Sequence, residues 1–161
     1  EAGADSILLP DVPVREGRPF DAAAAEAGIE TIYIAPAKAS PATLEGVAQH
    51  SKGYIYAISR DGVTGTERES SVDGLREVVE NINSYGGADV LLGFGISSPE
   101  HVRAAIEAGA AGAISGSALT RIIDAHTEGE HPNPGRITDM DTLKKELASF
   151  VAAMKRATIH S

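Results

Sequence analysis

Cysteine and tryptophan are both absent from this 161-residue chain. Without cysteine there is no disulfide framework, no thiol nucleophile and no cysteine-ligated zinc or iron–sulfur site. Positive charge is scarce as well: 14 Lys and Arg stand against 23 Asp and Glu, a formal net charge of −9. That balance disfavours a general nucleic-acid-binding role, which needs a basic surface. No apolar run approaches the roughly 20 residues of a membrane span, and no basic-then-apolar leader opens the sequence. The expectation is a soluble, cytoplasmic protein with neither nucleic acid nor membrane as partner.

Aromatic residues are few, four Tyr and three Phe, whereas Ala and Gly together supply 43 residues. Such small-residue content suits helices packed closely on a sheet. The length fits one domain, able to bury roughly 70% of its extended-chain surface. Residue 1 is Glu rather than Met.

Short apolar runs alternate with helical patterns. Ser6–Pro10, Thr31–Ala35, Tyr54–Ile58, Val90–Phe94 and Ala111–Ser115 read as buried strands, because near-continuous apolarity is what helix-covered parallel strands show. Ser40-Pro41 and Ser98-Pro99-Glu100 place a capping Ser before a helix-opening Pro. Val72, Leu75, Val79, Ile82 and Tyr85 fall at helical spacing and end at Gly86-Gly87. A last helix from about Asp139 is expected to bury Leu143, Leu147, Phe150, Val151 and Met154. Strands each followed by a helix form a βα array with right-handed crossovers.

An internal repeat sharpens this reading. Glu26-Ala-Gly-Ile precedes the second strand, Glu107-Ala-Gly-Ala precedes the fifth, and the chain opens Glu1-Ala-Gly-Ala-Asp5 before its first. By that rule residue 1 sits in the last turn of a helix, and the expectation is the C-terminal part of a longer βα protein. Two polar, Gly-containing loops are expected, Ser59–Ser71 after a strand and Thr127–Thr138 as a surface insertion.

Ligands of parallel βα arrays meet the C-terminal ends of strands. There the last two strands run into Phe94-Gly95-Ile96-Ser97 and Ser115-Gly116-Ser117 and then into helices. Gly lets backbone approach an anion, and a helix N-terminus offers free N–H groups. Gly62 and Gly65 of the long loop would close over the same phosphate. Tyr56 and Phe94, at strand ends, suggest a pocket for a flat ligand, although Tyr56 serves equally as a core residue. Gly93-x-Gly95-x-x-Ser98 lacks the third Gly and the acidic residue of a dinucleotide fingerprint. His50, His101, His126, His131 and His160 have no metal-ligand spacing and read as surface residues. Asp11 and Asp61 lie at strand ends without a partner at a defined spacing; Asp11 is expected to brace its loop. A binding site is legible, acid–base machinery is not.

Arg60-Asp-Gly-Val-Thr-Gly65, Gly93-Phe-Gly-Ile-Ser-Ser98 and Gly112-Ala-Ile-Ser-Gly-Ser-Ala118, in this order and spacing, resemble the tryptophan synthase alpha chain family. Leu9-Pro-Asp-Val-Pro13 and Ser149-Phe-Val-Ala-Ala-Met-Lys155 fit it too, so the resemblance spans essentially the whole chain. It implies a (β/α)8 barrel, here as a single partial domain of five consecutive βα units, strands four to eight. It also implies cleavage of indole-3-glycerol phosphate to indole and glyceraldehyde 3-phosphate, with indole passing to a pyridoxal-phosphate beta chain. The alpha chain itself would hold no cofactor and no metal. Carried over by motif, Gly65, Gly95, Gly116 and Ser117 would hold the phosphate. Leu8, Ile34, Tyr56 and Phe94 would wall the indole. Arg60, Gly62 and Thr64 would lie on a mobile loop, and Asp11–Gly17 would face the beta chain. The His-Pro-Asn-Pro-Gly stretch around 131–135 looks longer than in many members. The family's catalytic glutamate and aspartate fall before the part this chain matches, so no catalytic residue is assigned and the 161 residues alone are expected to be inactive. Open strand edges and inward faces of five units lead to the expectation of self-association. The alternatives are a standalone phosphate-binding βα module, built as an open doubly wound domain, and another sugar-phosphate barrel. The first requires a reversal of strand order; the second gives no reason for Gly-Val-Thr-Gly.

Overall fold

A computed structural model describes residues 3–58, 67–129 and 135–159. The described elements run β1 (Ser6–Leu8), a 3-10 turn (Val14–Glu16), α1 (Arg18–Ala27), β2 (Glu30–Ile32), β3 (Ile34–Pro36), α2 (Pro41–His50), β4 (Tyr54–Ile58), α3 (Glu67–Ser84), β5 (Asp89–Gly93), α4 (Pro99–Glu107), β6 (Gly112–Ala113), α5 (Ser117–Ala125), β7 (Thr127–Glu128), β8 (Arg136–Ile137) and α6 (Met140–Arg156).

The class is α/β with parallel strands, each beside its sequence neighbour. β1 pairs β2, and β3-β4-β5-β6 follow in that order. One residue, Tyr33, separates β2 from β3, and its carbonyl accepts the Tyr56 N–H at 3.1 Å. The expected second strand is therefore present but interrupted. At the break the Tyr33 N–H donates to Ser51 Oγ at 3.3 Å instead of to a strand, and its buried hydroxyl donates to Asp21 Oδ1 of α1 at 2.7 Å.

Burial divides the strands by face. Ile55 and Ala57 of β4 are buried with Ala35, Val90 and Leu92 against Leu44 and Val47 of α2, Leu75, Val79 and Ile82 of α3, and Val102 and Ala105 of α4. Tyr54, Tyr56 and Ile58, pointing the other way, are only half-buried. Fully buried strands were expected; among the described residues only one face of the sheet is covered by helices. β1 departs further: Ser6 and Ile7 are exposed, as an edge strand with one neighbour permits.

Local signals behave as their chemistry dictates, with four corrections. Ser40 caps α2, its Oγ accepting the Thr43 N–H at 3.2 Å. Ser98 takes the same position at α4 without a side-chain capping bond. The repeat glycines Gly3, Gly28 and Gly109 all adopt positive φ, at 75°, 68° and 98°, the left-handed turn that stops a helix and that Gly tolerates best. α3 begins at Glu67, so the polar stretch expected to be loop through Ser71 is already helical from there. On α6, Leu143 and Met154 are buried, Leu147 and Phe150 are half-buried, and Val151 is exposed. Val151 lies about 80° round the helix from Leu143, at the margin of the apolar stripe. The Thr127–Thr138 insertion is bracketed by an antiparallel pair, β7 with β8, and Thr138 donates to the His126 carbonyl from both N (2.9 Å) and Oγ1 (3.1 Å).

The three described histidines, expected at the surface, are half-buried and hydrogen-bonded. His50 Nδ1–H donates to Asp21 Oδ2 at 2.6 Å, His126 Nε2 lies 3.1 Å from Glu146 Oε2, and His101 bonds to Ser97. His131 and His160 fall outside the described residues. Asp21 thus joins α1 to the β2–β3 junction and to the end of α2. Burial alone would raise its carboxyl; hydrogen bonds from His50, Tyr33 and Thr31 outweigh that and hold it below its ordinary value. Burial, then the adjacent carboxylate, push the Tyr33 phenol up. Replacing Asp21 by Ala strands the buried Tyr33 hydroxyl and should cost about 1–3 kcal/mol in urea unfolding at neutral pH. A depressed carboxyl contributes stability above its unfolded pKa and loses it as pH falls through the folded one. The deficit should accordingly shrink on acidification through the carboxylate range; a deficit independent of pH would contradict the linkage.

Candidate phosphate and aromatic site

The C-terminal strand ends carry the candidate residues. Ile34, Tyr56, Leu91 and Gly112 form one row across β3, β4, β5 and β6 on the half-covered face. Leu8 stands in register with Ile32, two residues before Ile34, on the neighbouring strand pair. One step along, Gly93 sits under the Tyr56 ring, where any Cβ would overlap the phenol. That contact accounts for a glycine in a strand interior: it leaves room for the phenol end of Tyr56 against the backbone.

Phe94 follows with φ 74°, the one non-glycine residue at positive φ among those described, and it is 63% exposed. A bulky residue in that conformation is strained by about 1–3 kcal/mol, and such strain concentrates at ligand sites. Gly95 follows with φ 76°. The loop is then anchored: Ile96 is buried, and its carbonyl accepts Ser115 Oγ–H at 2.6 Å from the end of β6. This bond sets the β5–α4 loop beside the β6–α5 turn that carries Gly116 and Ser117.

Between them the two turns present unused donors. The N–H groups of Gly95 and Ile96 make no hydrogen bond among the described residues. α5 begins at Ser117 without a side-chain cap, and its first intrahelical bond is Thr120 N–H to Gly116 O at 3.1 Å. The N–H groups of Ser117, Ala118 and Leu119 are thereby left open, as at any helix start. Gly95, Gly116 and Ser117 are exposed, and a Cβ on Gly95 or Gly116 would meet nothing within 4 Å. Glycine here keeps a cradle open. Gly65, Arg60, Gly62 and Thr64 lie outside the described residues.

A cleft of about 640 Å³ opens at the other end of the strand row, between the Leu9–Arg15 segment, the ends of β3 and β4, and the start of α2. It includes Ile34 together with the strand-end residues Pro36 and Ile58. Asp11 is in its wall, and its carboxylate makes no hydrogen bond among the described residues, so the expected brace is not formed. Two ties were also missed, Ser115 to Ile96 and His101 to Ser97. A side chain three residues past a helix cap is a known back-bonding position, which would have signalled the second. No group of three or more His, Asp or Glu is placed to hold a metal among the described residues.

Sequential parallel strands with open, glycine-bearing turns at their C-terminal ends define an α/β protein whose candidate ligand face lies at those turns. The sequence model described as tryptophan synthase alpha chain matches residues 1–157. The tryptophan synthase alpha chain of Corynebacterium glutamicum is 73% identical over 158 residues, covering 98% of this chain and 56% of the relative. That of Vibrio cholerae is 48% identical, over 98% of this chain and 55% of its own length. A solved tryptophan synthase α2β2 complex from Pyrococcus furiosus superimposes with a TM-score of 0.74 at 28% identity, over 96% of this chain and 56% of the matched one. The chain belongs to the tryptophan synthase alpha chain family, and it spans a little over half the length of these relatives.

Proposed function

We propose that these residues form the phosphate end and part of the indole wall of a tryptophan-biosynthetic lyase that splits indole-3-glycerol phosphate into indole and glyceraldehyde 3-phosphate. The observation that carries this is the pairing of the β5–α4 and β6–α5 turns through Ser115 and Ile96, with unengaged N–H groups at Gly95, Ile96 and the start of α5. A phosphate monoester is the ligand such a cradle suits, because it offers several acceptor oxygens and two negative charges to free N–H groups and a helix dipole. Gly65 would close over it from the 59–66 segment, with Arg60, Gly62 and Thr64 on the same loop. Phe94, Tyr56, Ile34 and Leu8 would flank the flat indole.

The fold reading that accompanies this is five of the eight units of a (β/α)8 barrel. Strand order without reversal favours it over a doubly wound module. The half-covered face and the edges at β1 and β6 favour self-association of the 161 residues on their own. The partner proposed for the complete alpha chain is the pyridoxal-phosphate-carrying beta chain, with Asp11–Gly17 on that side; the alpha chain itself needs no cofactor. A cytoplasmic location is part of the same reading, and no described helix is long and apolar enough to cross a membrane.

In the reaction the bond between the indole ring carbon and the glycerol chain breaks. The ring carbon gains a proton while the adjacent glycerol hydroxyl loses one and becomes the aldehyde. The phosphate cradle orients the glycerol end, and an aromatic wall holds the ring in position for protonation. The proton transfers need a general acid and base, each contributing roughly 10²–10⁴-fold. Neither Asp11 nor Asp61 is given that work. The 161 residues alone should therefore bind glycerol phosphate and release no indole from indole-3-glycerol phosphate above the uncatalysed rate. Indole appearing in proportion to protein concentration would overturn the inactive reading.

A further inference from the structure

The β5–α4 loop has a third tether besides the buried Ile96 side chain and the Ser115 bond. His101, in the first turn of α4, accepts the Ser97 N–H on Nδ1 at 3.3 Å, with Ser97 Oγ 3.4 Å from the same nitrogen. Helix N-termini are ordinarily closed by a cap side chain and a residue three positions on that reaches back. Here Ser98 makes no capping bond, and His101 reaches one residue beyond it.

The geometry matters for the ligand. His101 occupies the Ser97 N–H, and the neighbouring N–H groups of Gly95 and Ile96 have no partner among the described residues. The Ile96 carbonyl is pinned at the same time by Ser115. A loop of two exposed, positive-φ residues, Phe94 and Gly95, has little else to set its backbone direction. We infer that His101 is a positioning residue for the phosphate end: its bond to Ser97 fixes the Gly95–Ser97 backbone so that the free N–H groups stand ready beside the start of α5. The inference rests on the phosphate reading of this site. Its physical content is preorganisation, since donors already held in place lose less freedom on binding.

The test is calorimetric titration of the 161-residue chain with glycerol 3-phosphate, with urea unfolding alongside to confirm that each variant is folded. His101→Ala should weaken binding roughly three- to tenfold, the effect of losing one hydrogen bond. His101→Gln, whose amide oxygen can take the Ser97 N–H, should recover most of it. His101→Phe keeps the ring and lacks the acceptor; it should behave like His101→Ala and serves in its place if that variant does not fold. A helix-capping role alone would lower the unfolding midpoint and leave affinity at full folding unchanged. Wild-type binding with equal affinity in the Ala and Phe variants overturns the inference alone. A wild-type chain that does not bind glycerol 3-phosphate overturns the phosphate reading and this inference with it.

Discussion

Gly116→Asp should abolish glycerol phosphate binding and leave the unfolding curve of the chain in place. A Cβ at Gly116 meets nothing within 4 Å, and its φ of −118° is open to any L-residue, so the fold has no objection to a side chain there. The ligand does. A carboxylate about 4 Å from a phosphate oxygen costs about 4 kcal/mol at an effective dielectric near 20, and solvent screening at this exposed turn reduces that. A loss of affinity of at least roughly 100-fold remains. Gly116→Ala is the matched control and should change affinity little by charge. Equal binding by the Asp variant and wild type, measured by calorimetry, would place the phosphate elsewhere.

Gly93 offers the opposite case, in which the fold itself objects. A Cβ there would enter the Tyr56 ring, so Gly93→Ala must push the phenol off the strand. Overpacking of that kind costs about 1–3 kcal/mol. Because the two residues touch, the costs should not add: Gly93→Ala in a Tyr56→Ala background should be nearly free, a coupling of about 0.5–3 kcal/mol in the double-mutant cycle. Urea midpoints of the four proteins measure it. Additive losses would mean that the ring does not rest on Gly93, and the proposed aromatic wall would lose its basis.

Much of the βα order was legible because its signals are local. Apolar runs, the Ser40 cap and the helix stops at Gly28 and Gly109 each act within a few residues, and each appears in the structure. What escaped depends on distant partners. The break at Tyr33 coincides with its bond to Asp21, and half-buried His50 meets the same carboxylate from 29 residues away in sequence. Val151 looked apolar enough for the core but lies at the rim of its helix stripe. At the site, Gly95, Gly116 and Ser117 were legible as turn residues opening into helices. Their alignment was not, since it rests on Ser115 reaching Ile96 across 19 residues. The acid–base groups were not legible because no pair of carboxylates shares a recognisable spacing in these residues.

The proposed place of the phosphate is the pair of turns after β5 and β6. Amide proton–nitrogen spectra of the chain titrated with glycerol 3-phosphate test it most directly. Saturable shifts should be largest at Gly95, Ile96 and the Ser117–Leu119 amides and absent from Gly116→Asp. Saturation without shifts at those amides, or shifts centred on the cleft between Leu9–Arg15 and α2, would contradict it.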